Sequence, residues 1–173
     1  MRRAAILMIA LALVAACDDD NPAGPSNTGP IIFTAQLSAQ NEVPAIQGTE
    51  ANGRGAATIT FNVPRDGSGN ASGGGSATFA IQLSGFPAGT TAHLAHIHPG
   101  AAGVNGGVLV STGLSAASPI VLTDGTATAT LTQSNLTQDQ ANQVLANPQN
   151  FYFNVHTPTN PGGVVRGQLT RIQ

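Results

Sequence analysis

With 173 residues, 8% of them charged, the chain is long enough for one domain with a core of its own. Its six basic residues are all arginines and are set against eight acids, so no basic stripe exists to neutralise phosphates, and nucleic acid is excluded as a partner. Cys17 is the only cysteine, which rules out an internal disulfide and leaves everything beyond it without a thiolate ligand.

The N-terminus carries Arg2 and Arg3, the apolar run AAILMIALALVAA and then Cys17. That run is too short for a membrane span and has the form of a signal-peptide core. VAAC, residues 14–17, resembles a bacterial lipobox, which makes 1–17 a lipoprotein signal peptide and Cys17 its lipidated residue. The expected product is an exported, membrane-anchored lipoprotein of the bacterial cell envelope, held to the membrane through Cys17. Residues 18–30, DDDNPAGPSNTGP, are acidic and then rich in Pro, Gly, Ser and Asn. They have no large apolar side chain to bury, and a disordered tether is expected. Residues 31–173 follow as a single domain; without Arg2 and Arg3 the exported chain has four arginines against eight acids, a balance of −4.

The domain reads as short alternating strands. IIFTAQLS (31–38) puts Phe33, Ala35 and Leu37 on one face and Thr34, Gln36 and Ser38 on the other. AATITFNV (56–63) and SATFAIQLSGF (76–86) repeat that period around a glycine-rich hairpin loop, PRDGSGNASGGG. GGVLVSTGL (106–114) is a further strand, and IVLTDGTATATLT (120–132) contains Asp124-Gly125, a strong short hairpin signal. Thr137 and Gln140 then form a T-x-x-Q capping box before Ala141, Val144 and Leu145, predicting one short helix that Asn147-Pro148 stops. NFYFNVHT (150–157) and VVRGQLTRI (164–172) complete the set. About eight strands with one short crossover helix predict an all-β fold, an antiparallel Greek-key sandwich or barrel.

The chemistry concentrates in the histidines. Three of the four, His93, His96 and His98, fall in TTAHLAHIHPG, and the last, His156, in FYFNVHTPTN. On a strand i and i+2 share a face, so His96 and His98 lie together, opposite Ala95 and Ile97. His93 falls on the Ile97 side unless a bulge resets the register. Phe151, Phe153 and Val155 form the more apolar face of their strand, which turns Tyr152, Asn154 and His156 outward. His96, His98 and His156 are thus expected on the outer face, able to close on one metal ion if their strands are neighbours. Neutral imidazole suits copper and zinc. H-x-H by itself also describes solvated histidines on a polar strand face.

AHIHPGAAGVNGGVLV (95–110) and FNVHTPTNPGGVVRGQL (153–169), preceded by LSAQNEVPAIQGTEANGRGAATITF (37–61), resemble the CHRD domain in three motifs in the right order. The likeness runs from about Phe33 to Leu169. It implies roles for Glu42, His96, His98, Asn154, His156, Gly163, Arg166 and Gly167, and leaves His93 outside the motif. It departs at Val164, where the family commonly has Glu; by alternation Val164 faces outward with Arg166 and Gln168, and a carboxylate that would pair with Arg166 or support an imidazole is missing there. The resemblance names no protein partner. The histidine pattern is also similar, more weakly, to that of Cu/Zn superoxide dismutase, but too few histidines are present for a bridged two-metal site.

No nucleophile elbow, Walker loop or dinucleotide fingerprint is present. A glycosidase-type pair would draw on Glu42, Glu50, Asp66, Asp124 and Asp139, most of them in turns, loops or a helix start where solvated acids are expected. The sequence favours a binding module over an enzyme. One reading is a metal-binding module with His96, His98 and His156 as ligands, copper ahead of zinc. The other is a non-catalytic adhesion or ligand-binding sandwich, in which the rings hydrogen-bond backbone groups of the PGAAGVNGG and PTNPGG loops and order them.

Overall fold

The computed structural model describes residues 29–173. The expected signal peptide with Cys17, and all but the last two residues of the expected tether, lie outside the described residues. The domain is all-β, as the alternation predicts. In chain order the strands are β1 (Ile31–Ser38), β2 (Arg54–Asn62), β3 (Gly75–Ser84), β4 (Thr90–Ala92), β5 (Leu94–Pro99), β6 (Val110–Ser111), β7 (Ile120–Leu122) and β8 (Ala127–Leu136). Helix α1 (Gln138–Ala146) precedes β9 (Phe151–His156), β10 (Val165–Gln168) and β11 (Thr170–Arg171).

Eight strands form one antiparallel sheet in the order β6-β5-β9-β10-β1-β2-β3-β8, curled towards a barrel, with β11 also paired to β1 and a small β4-β7 sheet beside it. The first strand is therefore sewn to the last ones. β2 and β3 form the expected hairpin around the glycine-rich loop. α1 carries the chain from β8 at one end of the sheet to β9 on the other side. Its N-terminus has the expected capping box: Gln140 N–H donates to Thr137 Oγ1 and Thr137 N–H to Gln140 Oε1. Ala141 and Val144 bury its inner face.

The core follows the two-residue period. Phe33, Phe61, Phe79 and Phe153 are fully buried, and each such ring removed from water stabilises the fold by about 1.5–3 kcal/mol. Phe79 stacks on Phe153 at 5.7 Å between centroids, joining β3 to β9, strands that are not neighbours in the sheet.

Three local expectations are corrected. The Asp124-Gly125 turn exists, with Gly125 N–H donating to Leu122 O, but it does not make a hairpin. β7 pairs with β4 and β8 with β3, so the turn moves the chain from the small sheet to the large one. GGVLVSTGL contributes only Val110–Ser111 as strand, and its glycines belong to a covering loop. Val164 does not face out. It is fully buried in the core, and its N–H donates to Val155 O, because β10 begins only at Val165 and the chain kinks at Gly163, φ 134°, just before it.

Candidate metal centre

β5 and β9 are neighbours in the sheet, and their register sets His96 opposite Asn154, His98 opposite Tyr152 and Leu94 opposite His156. His96 and His156 are thus diagonal partners on one face, with His98 two residues along. One ring nitrogen from each of His96, His98 and His156 lies within 4.8 Å of the other two. His96 Nδ1 and His156 Nε2 are 3.2 Å apart. Two nitrogens bound at about 2.0–2.1 Å to one ion, at tetrahedral to trigonal angles, stand about 3.3–3.6 Å apart. His93 is not in the cluster. It occupies the break between β4 and β5, its N–H donating to His156 O.

The expectation that this face looks into solvent is wrong. The three rings are 8%, 7% and 6% exposed, and every residue of β9 is buried. Alternation gives the parity correctly, because Phe151, Phe153 and Val155 enter the core; what it omits is a lid of loops over the other face. The loop between β5 and β6 is held by the polar side chains beneath it. Arg166 donates to Asn105 Oδ1 at 2.9 Å and to Val104 O at 3.0 Å, and Gln168 Nε2 donates to Gly100 O. Gly106 N–H donates to the Tyr152 hydroxyl, and only glycine fits at 106, since a Cβ would overlap the Pro99 carbonyl. Arg166 also lies 3.8 Å over the Tyr152 ring, and His98 stacks on that ring with 9° between planes.

Backbone carbonyls determine the histidine tautomers. A carbonyl oxygen only accepts, so His98 Nδ1–H donates to Gly106 O and Gly107 O at 3.1 and 3.0 Å, which leaves a lone pair on Nε2. That Nε2 is buried without a hydrogen-bond partner. His156 Nδ1–H likewise donates to Pro161 O at 2.9 Å, freeing Nε2. His96 Nδ1–H donates to that His156 Nε2 at 3.2 Å. Burial pushes all three rings towards the neutral form: His96 is lowered to about 4 by desolvation and then by its two histidine neighbours, and His98 and His156 are lowered chiefly by desolvation. Near neutral pH all three rings are uncharged, and an ion would displace only the single proton that His96 Nδ1 shares with His156 Nε2, which His96 can carry on Nε2 instead.

Two acids sit beside this cluster, both buried. Glu42 accepts a 2.8 Å hydrogen bond from Asn154 Nδ2, and burial raises its pKa to about 7 against the opposing pull of Arg166. Gly163 packs against that pair, where a Cβ would meet both Asn154 and Glu42. Glu50 was expected as a solvated loop acid and is instead 4% exposed, accepting from Thr157 Oγ1 and Asn160 Nδ2. Sequence reasoning also left out Tyr152, although alternation puts it on the histidine face, and the carbonyls of Gly106, Gly107 and Pro161.

The residues that the motifs marked therefore occupy one connected patch, and the family model of the CHRD domain matches residues 33–169. The chain belongs to the CHRD family. No curated protein matches it in sequence. Within this CHRD domain, Glu42, Asn154, Gly163 and Arg166 surround the histidine pair of β5 and the histidine of β9, and Gly167 lets β10 approach β1, where a Cβ would strike the backbone of Gln36. Three neutral imidazoles, each with one nitrogen within 4.8 Å of the others and buried beneath the loops, have the donor chemistry for a three-coordinate copper or zinc ion.

Proposed function

We propose that this CHRD domain is a metal-binding module of the bacterial cell envelope, taking copper through His96 Nδ1, His98 Nε2 and His156 Nε2. The observation that supports it is the orphaned lone pair: His98 Nε2 is buried, has no hydrogen-bond partner, and its ring is locked by two carbonyls on the opposite nitrogen. A ring needed only to order a loop has no reason to aim its second nitrogen at two other imidazoles. An all-imidazole donor set and the Irving–Williams order favour copper over zinc.

A binding role without metal has one observation in its favour. His98 and His156 do hydrogen-bond the loops that follow them, as the adhesion or ligand-binding reading requires. Copper titration separates the two. At a free metal concentration 100-fold above Kd, the wild type gains about 2.7 kcal/mol and its Tm rises accordingly. His98→Ala loses that gain, whereas equal behaviour of both proteins, or no shift in either, leaves the loop-ordering role alone.

Export and anchoring are the second part of the reading. Arg2, Arg3, the apolar run and VAAC support a lipid on Cys17, and among the described residues no helix is long and apolar enough to cross a membrane. Cys17→Ser is expected to abolish incorporation of labelled fatty acid and to move the protein out of the membrane fraction.

A further inference from the structure

We infer that Glu50 is a positioning residue for the histidine centre, acting on His156 through the loop 157–163 without touching a ring. The inference rests on the metal-binding reading for its consequence, and on hydrogen bonds alone for its geometry.

Glu50 ends a 3-10 turn, Gly48–Glu50, distant in sequence from the histidines, yet both donors to its Oε2 come from the segment after His156. Thr157 Oγ1 donates at 2.7 Å, and Asn160 Nδ2 is the second donor. Thr157 Oγ1 in turn accepts from Asn160 N–H, and Gly163 N–H donates to Asn160 O, so the segment is a closed turn hung from one carboxylate. Pro161 follows Asn160 directly, and its carbonyl accepts the His156 Nδ1–H at 2.9 Å. The orientation of that carbonyl decides which nitrogen of His156 carries the proton and which points at His96. A buried carboxylate without donors is expensive, and charge-assisted hydrogen bonds are the strong ones. The turn and Glu50 therefore hold each other in place.

The His98 side offers an internal control. Its loop is fastened by Arg166, Gln168 and Tyr152, with no link to Glu50. Loss of Glu50 should free one histidine and leave the other as it was. Groups that orient metal-binding histidines from outside the ligand set typically change affinity 10–100-fold when removed.

The test uses the full-length chain labelled with 15N-histidine. Long-range 1H–15N spectra of the metal-free protein should show His98 and His156 both as Nδ1–H tautomers. In Glu50→Ala, His156 becomes a tautomer mixture while His98 is unchanged, and copper affinity falls about 10–100-fold. Glu50→Gln keeps an oxygen acceptor and should restore the His156 tautomer and most of the affinity. Should Glu50→Ala fold poorly, Asn160→Ala cuts the same chain at a milder point and should give the same selective change. An unaltered His156 signal in these variants, or equal changes at His98, overturns the inference. Absence of copper binding by the wild type overturns the metal reading instead, and the tautomer spectra still decide the role of Glu50.

Discussion

The wall made by β1, β2, β3 and β8 and the wall made by β5, β9 and β10 share one sequence rhythm but have different surroundings. Along β8 the outward residues Thr128, Thr130, Thr132 and Ser134 are exposed, and those of β2 and β3 are exposed or half-buried. Along β9 the outward residues Tyr152, Asn154 and His156 are as buried as the inward ones. Loops rich in glycine cover the second wall and find Arg166, Gln168 and Tyr152 there to satisfy their backbone groups. A polar face under a lid must find partners within the protein for nearly all of its polar groups, with His98 Nε2 and Asn154 Oδ1 the exceptions here, and a polar face in water need not. This is why one wall carries interchangeable threonines and the other a specific set of histidine, asparagine, arginine and tyrosine.

Substitutions that should hardly matter on one wall are expected to be costly on the other. Arg166→Ala removes the donors to Asn105 Oδ1 and the Val104 carbonyl, empties a fully buried side-chain position and removes the cation over Tyr152, for an expected loss of about 3–5 kcal/mol in urea unfolding. A loss below about 1 kcal/mol would mean that the lid does not depend on this side chain.

The buried acid of the covered wall gives a smaller and pH-dependent effect. Glu42 has its folded pKa raised to about 7 from 4.5, so between those values the folded state binds the extra proton and stability falls as pH rises. Compared with Glu42→Gln, which keeps an acceptor for Asn154, wild type should be relatively more stable at pH 5 than at pH 8, by about 2–3 kcal/mol. The histidines work in the opposite sense. With folded values held low, they contribute stability above about pH 6.5 that is lost as pH falls towards about 4, the value of His96. A pH-independent difference between wild type and Glu42→Gln would show that Glu42 titrates as an ordinary surface acid. On the open wall the smallest effect is expected: Thr130→Ala should stay within about 0.5 kcal/mol at either pH.

Much of this was legible in the residues, and the illegible part has a physical cause. Phe33, Ala35 and Leu37 declared the core face of β1, and Thr137 with Gln140 declared the start of α1, because both signals are local. The pairing of His96 with His98 followed from strand parity, and their meeting with His156 required β5 and β9 to be neighbours, a long-range pairing that alternation leaves open. Parity says which residues share a face and nothing about what lies over it. Glycine-rich segments such as residues 99–107 have no periodicity to announce that they fold back as a cover. Glu50 was misread for that reason, since its two donors arrive from more than a hundred positions away. Asp124-Gly125 predicted a tight turn correctly and the wrong partners for its strands, which long-range pairing decides.

The seam between β1 and β10 joins the opening of the domain to its end. Until Val165–Gln168 is in place, both β1 and β9 present unsatisfied edges, and the pocket beneath the lid lacks its arginine. A polypeptide stopped short of that segment would leave two sticky ribbons free to recruit strands from other molecules. The covered wall is therefore complete only once β10 has been made, since that strand brings the arginine beneath the lid and closes the edges of β1 and β9.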